Sequence, residues 1–456
     1  STLAVTNSGT GLMQAGDSDG DELSISHAAL DLQNLDDAAL VGNQITLSSS
    51  IVNNAGLILA GAARSALGAE GTSALSATTR VTNSGFISFG TLTDVSGVMT
   101  AAGAGKLTTD ELKNISVTEG TGASAVTTTG VIQSYKDLTL DIGTSLLNEG
   151  VLLGNRLLTV NGTGSALTVT NQLEGLIEGG NSDGGELKFS SSALTLNNLG
   201  SGTLSANLLN IDALDVTNAG FIAVGASRNA AGVVQNSSLV ATGNITNSGD
   251  ISFASTGGSR VVAATLTNNL GGVIQTGKAL TLELNTQLDN AGVIVSTGDS
   301  LELKSTGTGL TAFNRDQGQL LSGFGTGALL SVTGTAVQLT NELGGEIGGN
   351  ALALTVQSLN NSGLIIADSA AGQGNISTIT ASGTVDNSGT ISFGNATTGG
   401  GGSITAGVLN NTGTNSEIQS ARDLLIDVRQ SLTNEGGLIA NHSLMVDTTN
   451  AAAGST

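Results

Sequence analysis

The sequence predicts an all-β fold, a right-handed parallel β-helix (β-solenoid) of roughly 19 coils of about 24 residues. Three observations predict it. A short Asn-x-Gly unit recurs at the length of one coil, period-two strands lie between its copies, and internal insertions and deletions come in whole coils.

The recurring unit is Asn, any residue, Gly, then an apolar residue two positions on. It reads Asn54-Ala55-Gly56-Leu57-Ile58, Asn83-Ser84-Gly85-Phe86-Ile87, Asn148-Glu149-Gly150-Val151-Leu152 and Asn387-Ser388-Gly389-Thr390-Ile391, with further copies at Asn218, Asn247, Asn290 and Asn361. Looser copies are at Asn7, Asn171, Asn269, Asn341, Asn411 and Asn434. These positions are assigned to corners where the backbone takes positive φ, which Gly and then Asn adopt at least cost.

Between the corners stand alternating runs such as Leu138-Thr139-Leu140-Asp141-Ile142 and Leu280-Thr281-Leu282-Glu283-Leu284. Period-two alternation puts the aliphatic residues on one face and the polar ones on the other, the pattern of a half-buried strand. No segment holds a helical period for three turns. Pro is absent, where average usage would supply about 20 residues, and its absence suits an uninterrupted ladder that needs every backbone N–H.

A longer duplication carries the topology. Residues 6–90 align without a gap onto 170–254, with 39 of 85 positions identical. The offset of 164 falls to 142 where Ile132 matches Ile274, a loss of 22 residues, about one coil. Later differences of 27 and 28 residues are again about one coil. A closed barrel or globular core rejects such changes, whereas a solenoid adds or drops a rung because each rung touches only its neighbours. The chain therefore divides into three degenerate super-repeats, 6–169, 170–339 and 340–450, within one continuous solenoid, with an irregular insertion at 91–130. At about 4.8 Å per rung the expectation is a rod on the order of 90 Å long.

Charge and composition exclude whole classes of function. A net charge of −22 with 14 Lys plus Arg repels phosphate backbones and anionic bilayers, so no nucleic-acid partner is expected. No run reaches 18 apolar residues, so no membrane insertion is expected either. The absence of Cys suits a protein that crosses a membrane unfolded. Residues 1–20 have neither a basic segment nor an apolar one, so the chain reads as a mature protein or a fragment.

Phrases such as Leu288-Asp289-Asn290-Ala291-Gly292-Val293-Ile294 and Leu432-Thr433-Asn434-Glu435-Gly436-Gly437-Leu438 resemble the shafts of filamentous-haemagglutinin-like adhesins, large exoproteins of bacterial two-partner secretion. The likeness covers nearly the whole chain and rests on repeat style. It implies a β-helix exported through an outer-membrane transporter to the cell surface or the extracellular space. There it would attach to a glycan, a host-cell or bacterial-surface receptor, biofilm matrix, or other copies of itself. That family's secretion domain carries an Asn-Pro-Asn-Leu motif that a Pro-free chain cannot contain, so the resemblance implies an internal or distal segment. No Arg-Gly-Asp tripeptide is present to suggest integrin binding.

Candidate sites are few. Asp17, Asp19 and Asp21 alternate as the oxygen ligands of a Ca2+ loop do, but their counterpart, 181–186, retains only Asp183 of the three, so they read as a solvated acidic turn. His27 and His442 are far apart in sequence, and Arg64 and Arg228 are the one basic pair repeated in register. The eight Phe read as core, with Phe89, Phe253 and Phe393 at equivalent positions. Thr127, Thr128 and Thr129 do not recur as an ordered Thr face, and the sequons at Asn244 and Asn395 are what an Asn- and Thr-rich chain produces by chance. No catalytic, cofactor or metal residue is assigned. The reading is a non-catalytic adhesin shaft, with a self-assembling extracellular filament or matrix subunit as the alternative and a β-helical polysaccharide lyase or hydrolase as the lesser one.

Overall fold

The computed structural model describes residues 3–95, 98–120, 125–191, 193–254, 256–325, 327–334, 336–368, 376–395 and 399–448. The chain is an all-β parallel solenoid with no helix among the described residues, wound in about 17 turns of about 24 residues. The expected count of 19 was too high because some residues lie outside the coils. The antiparallel pairs Thr91–Val95 with Val98–Ala102, and Ser116–Glu119 with Val126–Thr129, consume length without adding a rung.

Two compact units divide the chain, Ser1–Gln235 and Asn236–Thr456. Within the first, each turn contributes to two parallel sheets. One sheet holds strands such as Gln44–Asn54, Thr72–Asn83, Ala104–Asn114 and Asp137–Asn148, which pair in register apart from a mid-strand irregularity. The other holds short strands such as Leu57–Ala60, Phe86–Phe89, Val131–Ser134 and Val151–Gly154. The second unit repeats the plan, for example in Leu280–Asn290 and Val293–Ser296.

Alternation decides which side chains enter the core, and stacking lines them up. In the first unit Leu40, Ile58, Ile87, Ile132, Leu152, Ile177, Leu204 and Ile222 form one column through in-register pairing, all fully or almost fully buried. In the second unit Ile251, Ile274, Ile294, Leu320, Ile347, Ile365, Ile391 and Ile418 do the same. Burying such a side chain contributes roughly 1.5–3 kcal/mol, so the columns supply the main cohesive force between rungs. The Phe expectation holds only in part. Phe89, Phe189, Phe253 and Phe393 are buried, but Phe221 and Phe324 are about half exposed, and Phe313 lies under the Arg315 guanidinium, 4.2 Å from the ring centre.

Candidate functional site

Every turn passes through a corner that is built on one asparagine. Its side chain points inward and joins a hydrogen-bonded amide ladder. In the first unit Nδ2 donates to the next Oδ1 along Asn7, Asn34, Asn54, Asn83, Asn114, Asn148, Asn171, Asn198 and Asn218, at 2.8–3.0 Å. In the second unit the ladder runs through Asn247, Asn268, Asn290, Asn314, Asn341, Asn361, Asn387, Asn411 and Asn434, at 2.7–2.9 Å. The second N–H reaches corner carbonyls, as Asn148 Nδ2 does to Gly150 O at 3.0 Å and Leu176 O at 3.1 Å. Both donors and the acceptor are therefore used, which is what permits a primary amide to be fully buried.

The asparagines stand at the corners, as their spacing predicts, with two differences from that expectation. The ladder residue is Asn268, whereas Asn269 lies one position outside it. The glycines of the short corners, such as Gly56, Gly85 and Gly150, do not have positive φ and are needed for space. A Cβ at Gly150 would lie 2.1 Å from Gly130 O. Positive φ belongs to longer corners, at Gly9, Gly200, Gly271 and Gly344, and at Asp36, Leu173 and Gln317, where a side chain tolerates it.

The acidic turn is a structural contact. Asp21 Oδ2 accepts the Ser18 N–H at 3.1 Å, and Gly20 N donates to Arg64 O at 2.8 Å. The counterpart keeps the backbone contact, with Gly184 N donating to Arg228 O at 2.9 Å, and has Gly185 in place of Asp21. The in-register arginines thus mark two loops, 61–71 and 225–235, that fold back onto earlier turns, and Asn43 Nδ2 supports the first through Arg64 O at 3.0 Å. Among the described residues no group of three or more His, Cys, Asp and Glu is placed to hold a metal. His27 Nδ1 accepts the Ala29 N–H in the first unit, and His442 pairs with Asp423 in the second.

A cleft of about 200 Å3 lies beside the second of these loops, lined by Arg156, Leu157, Gly184, Glu186, Leu208 and Arg228 among others. Each of its charged groups is held by a neighbour outside the lining named above. Arg156 makes a two-pronged pair with Asp137, which raises its affinity for the proton; Asn210 donates to Glu186 at 2.8 Å; and Arg228 Nη1 donates to Gly232 O at 3.0 Å. Nearby, Lys136 binds Glu70 and lowers the carboxyl pKa.

Glu178, on the strand Leu176–Glu178, is shifted the other way: burial raises its pKa, although Asn181 Nδ2 donates to it at 2.8 Å. A carboxyl raised in the folded state stabilises the fold fully below its unfolded pKa of about 4.3, and this contribution is lost as pH rises through the folded value. Glu178→Gln is therefore expected to gain stability at neutral pH, within about 0.5 kcal/mol, and to flatten the fall in stability just above that range. Urea unfolding across pH 4 to 7 checks this, and an unchanged slope contradicts it.

The 91–130 region carries the two antiparallel hairpins. Residues 96–97 and 121–124 lie outside the described residues, as does part of the sequon at Asn395. Val126 and Thr127 to Thr129 are exposed, and Thr118 Oγ1 lies 2.9 Å from Thr127 Oγ1 across the second hairpin. This hairpin replaces an ordinary corner: Asn114 Nδ2 still reaches Gly130 O at 3.0 Å, as Asn148 reaches Gly150 O.

The chain is thus a parallel β-solenoid whose corners are closed by a buried amide ladder. No family model, no curated protein and no solved structure matches it.

Proposed function

We propose that this chain is a non-catalytic shaft of a bacterial surface or secreted adhesin, similar in kind to the filamentous-haemagglutinin-like exoproteins. It works outside the cell, reaches that place through an outer-membrane transporter, and attaches cells to host surfaces, to other bacteria or to biofilm matrix. One observation carries the reading. The coils satisfy their own core and corners, and to this regular stack the strands Ser116–Glu119 and Val126–Thr129 add a largely polar antiparallel pair while the corner beneath keeps its ladder asparagine. Irregular segments on a regular scaffold are where binding tends to lie, because the scaffold holds them without needing their contacts.

The hairpin can be removed without disturbing the coil. Replacing residues 115–129 by one glutamate turns this corner into a copy of Asn148-Glu149-Gly150. The expected result is an unchanged thermal midpoint and attachment to cultured host cells and bacterial lawns lower by about tenfold, measured with chain-coated fluorescent beads. Equal attachment by both chains overturns the assignment of the hairpin, and failure of the original chain to attach to any surface overturns the adhesin reading. Clumping of beads with one another in place of attachment favours the filament or matrix subunit.

A further inference from the structure

Once the ladder is assigned, the corners fall into two lengths, and their order builds a groove. In short corners the asparagine amide reaches the carbonyl two residues on, as at Asn361 to Gly363 and Asn387 to Gly389. In long ones it reaches four residues on, as at Asn341 to Gly345. In the second unit two adjacent short corners, 361–363 and 387–389, lie between the long corner 341–345 and the longer one 411–416. The long corners stand out and the short ones recede, leaving an open groove of about 420 Å3. Its walls are three rungs apart, about 14 Å, a span suited to a single polymer strand.

The floor stays low because its two glycines cannot take side chains. A Cβ on Gly363 would lie 2.3 Å from Gly345 O, and one on Gly389 would lie 2.2 Å from Gly363 O. Beside the glycines lie Ser388, whose Oγ donates to Ser362 Oγ at 3.0 Å, Thr390, and the aliphatic Leu364. Glu346 and Leu343 belong to one wall and Asn415 to the other, and Leu343 is 78% exposed. Leu173 and Leu270 hold the same place on other long corners and are 58% and 67% exposed, so an outward Leu belongs to the long corner, and here it gives the groove an apolar wall.

We propose that this groove binds a neutral glycan chain. Sugar hydroxyls donate to the Glu346 carboxylate and exchange hydrogen bonds with Asn415 and the serines, while the C–H faces of the rings cover Leu343 and Leu364. Charge selects against the acidic alternatives: no Lys or Arg is among the lining residues, Glu346 is their one charge, and the chain as a whole carries −22. The first unit repeats the arrangement, with adjacent short corners 54–56 and 83–85 between the long corner 34–38 and the hairpin-bearing corner 114–130. The proposal rests on the attachment reading and names the chemistry that one surface of the shaft recognises.

The test titrates the full chain with neutral hexasaccharides of β1,4-linked glucose and of β1,4-linked N-acetylglucosamine, and with polygalacturonate as the acidic comparison. Two variants accompany it. Ser388→Tyr fills the groove from an exposed corner, and Leu343→Ala removes the apolar wall; both are expected to keep the thermal midpoint. The expected result is binding of at least one neutral sugar, weakened by roughly tenfold or more in both variants, with no binding of the acidic polymer. Binding of neither neutral sugar, binding that both variants leave unchanged, or preference for polygalacturonate overturns the proposal. Attachment of the original chain to cells is scored in parallel: a chain that attaches but binds no neutral sugar sinks the groove and leaves the adhesin reading standing, and a chain that binds sugar through Leu343 but attaches to no cell does the reverse.

Discussion

Asn148→Leu is expected to lower the stability of the chain by about 4 kcal/mol or more. The substitution keeps the branched four-atom skeleton of the side chain but adds the bulk of two methyl groups, so overpacking adds to the loss. The rest of the cost lies in the partners left behind. Asn114 Nδ2 loses its acceptor at 2.8 Å, Asn171 Oδ1 loses its donor at 2.8 Å, and the carbonyls of Gly150 and Leu176 each lose the amide, Gly150 O keeping only the Leu176 N–H, all at a corner where Asn148 is fully buried. Each unsatisfied buried group costs about 1–3 kcal/mol, and water cannot enter to replace the bond. Asn434→Leu is the internal comparison. That residue is exposed, so its bonds compete with water already, and the loss is expected to stay near or below 1 kcal/mol. Urea unfolding of the two variants checks the difference, and equal losses contradict a ladder whose strength comes from burial.

Gly150→Ala, two residues further along the same corner, is expected to cost about 3 kcal/mol. The added methyl would meet backbone atoms, Gly130 O at 2.1 Å and Gly130 C at 3.0 Å, and backbone cannot rotate out of the way as a flexible side chain can. The same carbonyl accepts the Val151 N–H at 2.9 Å and the Asn114 amide at 3.0 Å, so moving it strains two hydrogen bonds. By contrast Gly325→Ala, with open space at the Cβ position and no positive φ, is expected to change stability by less than about 0.5 kcal/mol. Thermal unfolding of the pair checks this, and a harmless Gly150→Ala would mean that the corners are looser than their stacking distance implies.

The legible part of the fold was what repeats at fixed spacing. Asn-x-Gly copies such as Asn54, Asn83 and Asn387 and the alternating strands between them lead directly to a parallel solenoid. Ladder residues on other corners were hidden because corner length varies. Asn114 is separated from its glycine by 15 residues and Asn314 by the extra residues of a long corner, while the long corner after Asn34 ends on Ala38 and holds no glycine. Strand parity could have found them. Leu266 faces the core, so Asn268 faces it too and Asn269 cannot, because successive strand residues alternate between faces. The positive-φ assignment failed for a related reason: glycine serves two different needs, left-handed backbone in long corners and close approach of stacked backbone in short ones. Arg64 and Arg228 were visible as a repeated pair, but what they share is a backbone carbonyl that holds the acidic turn, which no charge pattern reports. The 343–415 groove emerged only after short and long corners had been told apart, since its floor is defined by side chains that are missing.

An amide ladder, buried at all of its asparagines except Asn434, closes the turns of each unit. Hydrogen exchange of the asparagine side-chain amides, followed by nuclear magnetic resonance on the 15N-labelled chain, tests it most directly. The account predicts a distinct set of Nδ2 protons, those of the ladder asparagines, that persist in heavy water long after the exposed asparagines have exchanged, and that lose protection around Asn148 in Asn148→Leu. Exchange of all asparagine side chains at the rate of the free amide would contradict the ladder, and with it the way this chain holds its turns together.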